Sequence, residues 1–443
     1  MSKYLSIECE WFDQPVTDPV ERRTWACIRI SAASRSITRL WDRTSESERV
    51  TIYIPAFPLA SWIVENWWTL LYEPRRSKRL PSDREDFSKS EAEWLRRHCL
   101  RSADSGLLLP QACFFNDGRD TCIQWLADEQ DLYPNMPGHF VESGEVRVSQ
   151  VEAELSLREF VSKVIARVAP LEDDRVVRLR ENWNAIIKAE PSEIAFCRAA
   201  GRMGLDPYQC GSWESSLVSL LERDLGNDAE RPIVGDFLEA AEAVKAVEAW
   251  EWVRGTELAL ALGKSPKQEL IDDSHFSRAV FSGYQIAQDL RERAGLGPSQ
   301  PVDSIEAVAR KLGGTRFSFA EREHPPGGKV RAVVGWASNQ EAIMAGPKPS
   351  RPDNLRFLQA RGFFHAACNC GRGARLITDA YTWDQQAARA FAAELLAPRT
   401  ALASEAALHP GDDVIERLSE KYAVSALLVE HQLENANISS GAE

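Results

Sequence analysis

A change of hydrophobic period near residue 150 constrains this chain more than any other feature. Before it, apolar residues gather in short runs, 4–12, 25–32, 37–41 and 50–54, rich in Ile, Val, Tyr and Trp and separated by Pro, Asp, Ser and Arg. Val50, Ile52 and Ile54 alternate with Thr51 and Tyr53, as a pleated, half-buried strand requires. His139–Val141 and Val146–Val151, around Ser143-Gly144, read as a hairpin, and Pro58–Leu71 as a helix. From Ser156 onward the spacing is helical: Ser156 and Glu159 form a capping-box pattern ahead of Phe160, Val164 and Val168. Further helices are predicted over 173–188, 192–203, 213–225 and 235–253.

After a polar stretch with Pro266, helices and strands mix. Helices over 276–294 and Ser304–Leu312 are followed by strands Thr315–Phe319 and Val330–Trp336, then by helices over 353–368, 384–397, 412–420 and 425–436. The expectation is a multidomain α+β protein. Its parts are a Trp-rich, β-containing module at 1–150, a helical module at 151–262 and an α+β domain at 270–440.

Composition removes several functions. Fifty-three Lys and Arg face 66 Asp and Glu, a formal charge of −13 that disfavours binding to a phosphate backbone. No apolar run approaches the roughly 18 residues that cross a bilayer, so no membrane partner is expected. The opening MSKYLSIECEWF has neither the apolar core nor the cleavage site of a secretory signal. Nine cysteines, scattered from Cys9 to Cys370 without framework spacing, read as reduced thiols of a cytoplasmic protein.

Four segments carry a family resemblance. Ala388–Pro398 (ARAFAAELLAP) resembles the "AN-x-FAAELLMP" helix of the ImmA/IrrE zinc metallopeptidases, and Arg356–His365 (RFLQARGFFH) stands where that family has "RFTLAHELGH". GYQIAQDLRERAGL at 283–296 with PVDSIEAVARKLG at 301–313 resembles the family's opening, and VIERLSEKYAVSALLVEHQLENANI at 414–438 its closing segment. The resemblance covers about 270–440 and implies a zincin-like domain. In the active family, two His at i and i+4 hold Zn²⁺, the Glu after the first His is the general base, and a carboxylate from the next helix completes the site.

On this sequence the first His is Arg361, the base is Gly362, and the second His survives as His365. The third ligand falls near Gln385–Ala387, with Asp384 the nearest carboxylate. A guanidinium does not bind Zn²⁺ and glycine is no base. The resemblance therefore implies the fold without the chemistry: no catalytic residues, no cofactor, and a degenerate motif at Arg361, Gly362 and His365. A substitute zinc site from His365, Cys368, Cys370 and Asp384 is the weaker alternative. Arg361 and Arg389 could hold a phosphate or carboxylate, or pair with Asp379, Asp384 or Glu394.

Eight of the 14 Trp precede residue 126. Trp62, Trp67 and Trp68 read as core, the usual fate of Trp, or, with Arg75 and Arg76, as an aromatic and cationic surface for a protein partner. The C-terminal segment has helix-turn-helix spacing about Ala423-Val424-Ser425, but Glu430 and Glu434 without Lys or Arg on its second helix point to packing. The resulting expectation is a bacterial-type pseudopeptidase acting as a regulator, sensor or adaptor in a stress, mobile-element or anti-phage pathway. A metal-dependent endopeptidase with non-standard ligands and a nucleic-acid-binding regulator are the alternatives.

Overall fold

The computed structural model describes residues 4–75, 87–129, 136–226, 231–263, 278–312, 316–339, 341–368 and 373–440. Helices and strands mix throughout, in several separate sheets, and the chain is a multidomain α+β protein. Its contacts group into two compact units, Met1–Asn227 and Asp228–Glu443. Among the described residues no helix is long and apolar enough to cross a membrane.

The first unit opens with β1 (Leu5–Trp11), α1 (Pro19–Thr24), β2 (Trp25–Ala32), β3 (Arg35–Ser36), β4 (Leu40–Asp42), β5 (Ser47–Arg49) and β6 (Ile52–Pro55). β2 runs antiparallel to β1, β3 and β6, and its alternating burial matches the alternation of its side chains. Helices α2 (Ala56–Glu65) and α3 (Trp67–Tyr72) replace the single predicted helix. The chain breaks at Asn66, whose side-chain amide donates to Trp62 O at 2.8 Å. After α4 (Lys89–His98) come β7 (Gln111–Asn116), β8 (Thr121–Leu126), β9 (Gly138–Phe140) and β10 (Gly144–Val148).

The predicted hairpin does not form: β9 pairs with β4, while β10 pairs with β8. Ser143-Gly144 therefore connects two sheets, β5-β4-β9 and β10-β8-β7, instead of turning one.

Helices α5 (Gln150–Val168), α6 (Asp174–Ile187), α7 (Pro191–Arg202) and α8 (Ser215–Leu220) complete this unit. Ser149, not Ser156, caps α5, accepting from Glu152 N at 3.2 Å in its own S-x-x-E box. Ser156 lies inside the helix and donates to Leu5 O at 2.6 Å, tying α5 to β1. Ala153, Leu157, Phe160, Val161, Val164 and Val168 enter the same apolar core as Leu5, Ile28, Ile30 and Leu59. The helices from Gln150 to Cys197 thus share a core with the N-terminal strands.

The second unit contains α9 (Pro232–Ala240), α10 (Ala246–Ala259), α11 (Ala279–Arg293), α12 (Ile305–Lys311), β11 (Arg316–Glu321), β12 (Val330–Trp336), β13 (Glu341–Gly346), α13 (Pro352–Cys368), β14 (Arg375–Thr378), α14 (Trp383–Leu396), α15 (Arg399–Leu408), α16 (Val414–Tyr422) and α17 (Ala426–Ser440). The sheet order is β11-β13-β12-β14; β11 and β13 are parallel and the other pairs antiparallel. The predicted helix over 235–253 is two, because the chain turns extended at Ala241 and Glu242.

Phe364, Phe391, Leu395 and Leu396 are fully buried between α13 and α14, and Phe357 packs half-buried against the same cluster. The Phe364 and Phe391 rings lie 5.4 Å apart. Gly283 explains how closely α11 meets α14: a Cβ there would sit 2.3 Å from Ala387 O. α17 buries Val429 and Gln432 in this unit, the packing role expected of the C-terminal pair. Phe391→Ala should cost about 3–5 kcal/mol, because a buried ring leaves a cavity that its helix neighbours cannot close. Urea unfolding checks this, and an unchanged midpoint would place Phe391 outside the core.

Candidate functional site

The degenerate-motif residues lie where β14 enters the face between α13 and α14. Arg361 is 5% exposed; its Nη2 donates to the Thr378 carbonyl and, at 3.0 Å, to Gln385 Oε1. Gln385 is fully buried and has no capacity left for a metal. Its Oε1 also accepts from Thr378 N at 3.0 Å, and its Nε2 donates to Leu376 O at 2.8 Å. The guanidinium at position 361 and the amide at 385 are therefore bonded to each other.

Burial lowers the Arg361 pKa to about 9, helped by the like charges of Arg389 and Arg331 and opposed by Asp379. The group still carries its charge at neutral pH. Arg389 donates to Ala380 O at 2.7 Å and lies over the Tyr381 ring, while Asp379 is paired with Arg331 through Arg331 Nε at 2.8 Å. The predicted partnerships of Arg361 and Arg389 with Asp384 or Glu394 do not form. Glu394 instead accepts from Gln288 Nε2 at 2.8 Å, Gln432 Nε2 at 3.1 Å and Arg399 N at 3.2 Å, clamping α11, α14 and α17 together.

Position 362 offers no side chain, and its neighbours pack closely against it. A Cβ on Gly362 would lie 2.6 Å from Met344 Sδ and 3.2 Å from Ile377 Cδ1. His365 is 1% exposed, and neither ring nitrogen has a hydrogen-bond partner among the described residues. Burial above all drives its pKa well below the usual value; Arg375 and Arg361 act in the same direction, against Asp384 and Gln385.

Of the candidate metal residues, His365, Cys368 and Asp384 lie within the described residues. Asp384 is committed to Arg375, its Oδ2 accepting from Nη2 at 2.6 Å. Cys368 is buried at the end of α13, and Cys370 lies outside the described residues. Among the described residues no three His, Cys, Asp or Glu side chains gather as metal ligands. Arg361, Gly362, Gln385 and the committed Asp384 do not fit a zinc centre, and no step is derived through one.

Sequence reasoning missed the partner of Arg375. Arg375 is 5% exposed and holds Asp236 of α9 through two bonds, Nε to Oδ2 at 2.7 Å and Nη2 to Oδ1 at 2.8 Å. Asp236 Oδ2 also accepts from Leu376 N at 2.9 Å. The two carboxylates around it raise the Arg375 pKa further, outweighing its burial. No local signal marks Asp236, which stands far from 270–440 in sequence.

In the first unit, Trp62, Trp67 and Trp68 are core residues, not a partner surface. They are 5%, 2% and 5% exposed; Trp62 Nε1 donates to Arg96 O at 2.7 Å, and Trp67 meets Trp183 edge-on at 5.2 Å. Arg75 donates to Gln124 Oε1 at 3.3 Å and lies over the Phe115 ring; Arg76 is outside the described residues. The described cysteines are free thiols.

No protein-family model matches the chain, and no curated protein matches it.

The buried imidazole makes a pH prediction. Its folded pKa is depressed, so below the unfolded value of about 6.5 the unfolded chain takes up a proton that the folded one refuses, and stability falls as pH falls. His365→Leu should lose correspondingly less stability between pH 7.5 and 5.5 than the native chain. Equal losses in urea unfolding would show that the imidazole titrates normally.

Proposed function

We propose that this chain is a non-catalytic, ImmA/IrrE-like regulatory protein that works by binding a protein partner in a bacterial stress, mobile-element or anti-phage response. One observation carries the reading: the guanidinium of Arg361 is hydrogen-bonded to Gln385 and Thr378 at the positions where the resemblance sets a first metal ligand and, near Gln385, a third. A protonated group there repels a cation, and the amide oxygen beside it is already taken twice. Glycine at 362, packed against Met344 and Ile377, supports the same reading, since it supplies no general base.

Without hydrolytic chemistry, the role falls to recognition. Net charge disfavours a nucleic acid and favours a protein as the partner.

Affinity capture of the full chain from its native host, with elemental analysis and zinc incubation of the captured complex, tests this. The purified protein should carry well under one equivalent of zinc, and the captured partner should stay intact when zinc is added. Stoichiometric zinc that disappears in His365→Ala, together with zinc-dependent cleavage of the partner, would overturn the proposal in favour of a peptidase with non-standard ligands.

A further inference from the structure

Three cysteines of the first unit, Cys99, Cys113 and Cys122, share a small buried cluster with Trp94 and Phe115, apart from the main core. Cys99 closes α4, its backbone N–H donating to Leu95 O at 2.8 Å. It forms an isolated antiparallel bridge with Cys113 of β7. Beside that bridge, His98 Nδ1 donates to Phe114 O at 2.6 Å, so two neighbouring contacts fix the end of α4 against the strand.

Register selects one pair among the three thiols. Residues directly opposite in an antiparallel pair have Cα atoms about 4.5–5.5 Å apart and side chains on the same face. That separation lies inside the roughly 4.4–6.8 Å that a disulfide spans. The Cys113 thiol is hydrogen-bonded to Cys99. Cys122 is placed otherwise: it stands opposite Phe115 across β7 and β8, while Cys113 faces Gln124. An offset of two residues separates Cys113 and Cys122 by about 7–8 Å, too far for a disulfide without backbone movement. Cys122 instead donates to Asp117 Oδ2 at 3.4 Å.

We propose that Cys99 and Cys113 are a redox-active pair, which hydrogen peroxide converts to an intramolecular disulfide that locks the end of α4 to β7. Cys99, slightly the less buried of the two, attacks one peroxide oxygen; the O–O bond breaks, water leaves and Cys99 becomes a sulfenic acid. The Cys113 sulfur then displaces the sulfenic hydroxyl, which leaves as a second water. Two thiols lose two electrons, one peroxide gains them, and each thiol proton ends in a water. The bond to Cys99 and burial both hold the Cys113 thiol protonated, against the charge of Arg101, which suits it to the second step. Burial makes the first step slow, because a thiolate is costly there, and shuts out bulky reagents. It also keeps the paired thiol beside the sulfenic acid as it forms.

Treatment of the reduced full chain with millimolar hydrogen peroxide, then alkylation and trypsin digestion without reductant, tests the proposal. Trypsin places Cys99, Cys113 and Cys122 in separate peptides, 98–101, 102–119 and 120–147. A cross-link between 98–101 and 102–119 is expected, reversed by dithiothreitol. The thermal midpoint should rise by about 5 °C on oxidation, as closure of a loop of this size implies. Cys99→Ser should abolish both the cross-link and the rise. Cys113→Ser should leave a sulfenic acid on Cys99 that dimedone traps. Should either variant fold poorly, the peptide map of the native chain still decides. Oxygen added to Cys99 without the cross-link, a cross-link from Cys113 to 120–147, or two unmodified thiols would overturn the proposal.

Discussion

The second unit depends on how Arg375 is answered. A guanidinium taken out of water costs several kcal/mol unless its donors find acceptors of opposite charge in good geometry. Here Asp236 and Asp384 reach it from helices on two sides, and Asp236 also satisfies the backbone amide of the neighbouring Leu376. Breaking such a set by removing one carboxylate strands a buried charge, which is why these three residues function as one part. They pin α9 and α14 to β14, the edge of the sheet. With β14 fixed, Gln385 can bridge Leu376 O and Thr378 N, and only then does Arg361 have an acceptor in the interior.

Small residues set the distances over which this network works. The close crossing at Gly283 brings the backbones of α11 and α14 together, and Gly362 lets Met344 lie against α13. Both glycines are in helices, where the residue weakens the helix by about 1 kcal/mol relative to Ala. That cost is offset by packing that no Cβ would permit. Glu394, in the middle of the FAAELL stretch, is likewise a structural group, its two oxygens fully used by donors from α11, α17 and the chain after α14.

The first unit uses its unusual tryptophans in the same economical way. Most of their indoles fill a core shared by strands and helices; the N–H groups of Trp62, Trp68 and Trp94 find carbonyl or hydroxyl acceptors, while those of Trp25 and Trp125 have no partner among the described residues.

By itself, the sequence determined the type of most elements, because an apolar period of two or of three to four residues, with caps and turns, is a local property. It also determined the residue types at 361 and 362, a guanidinium that does not bind zinc and a glycine that is no base. Only the tertiary structure decided the rest. β13 and β14 are short runs whose strand character comes from the ladder they join, and β9 and β10 entered different sheets, β9 beside β4 and β10 beside β8, a choice that no local pattern records. The partner of Arg375 was likewise settled from 139 residues away, since a buried charge is answered by whatever the fold brings within 3 Å, and no local pattern records which residue that will be.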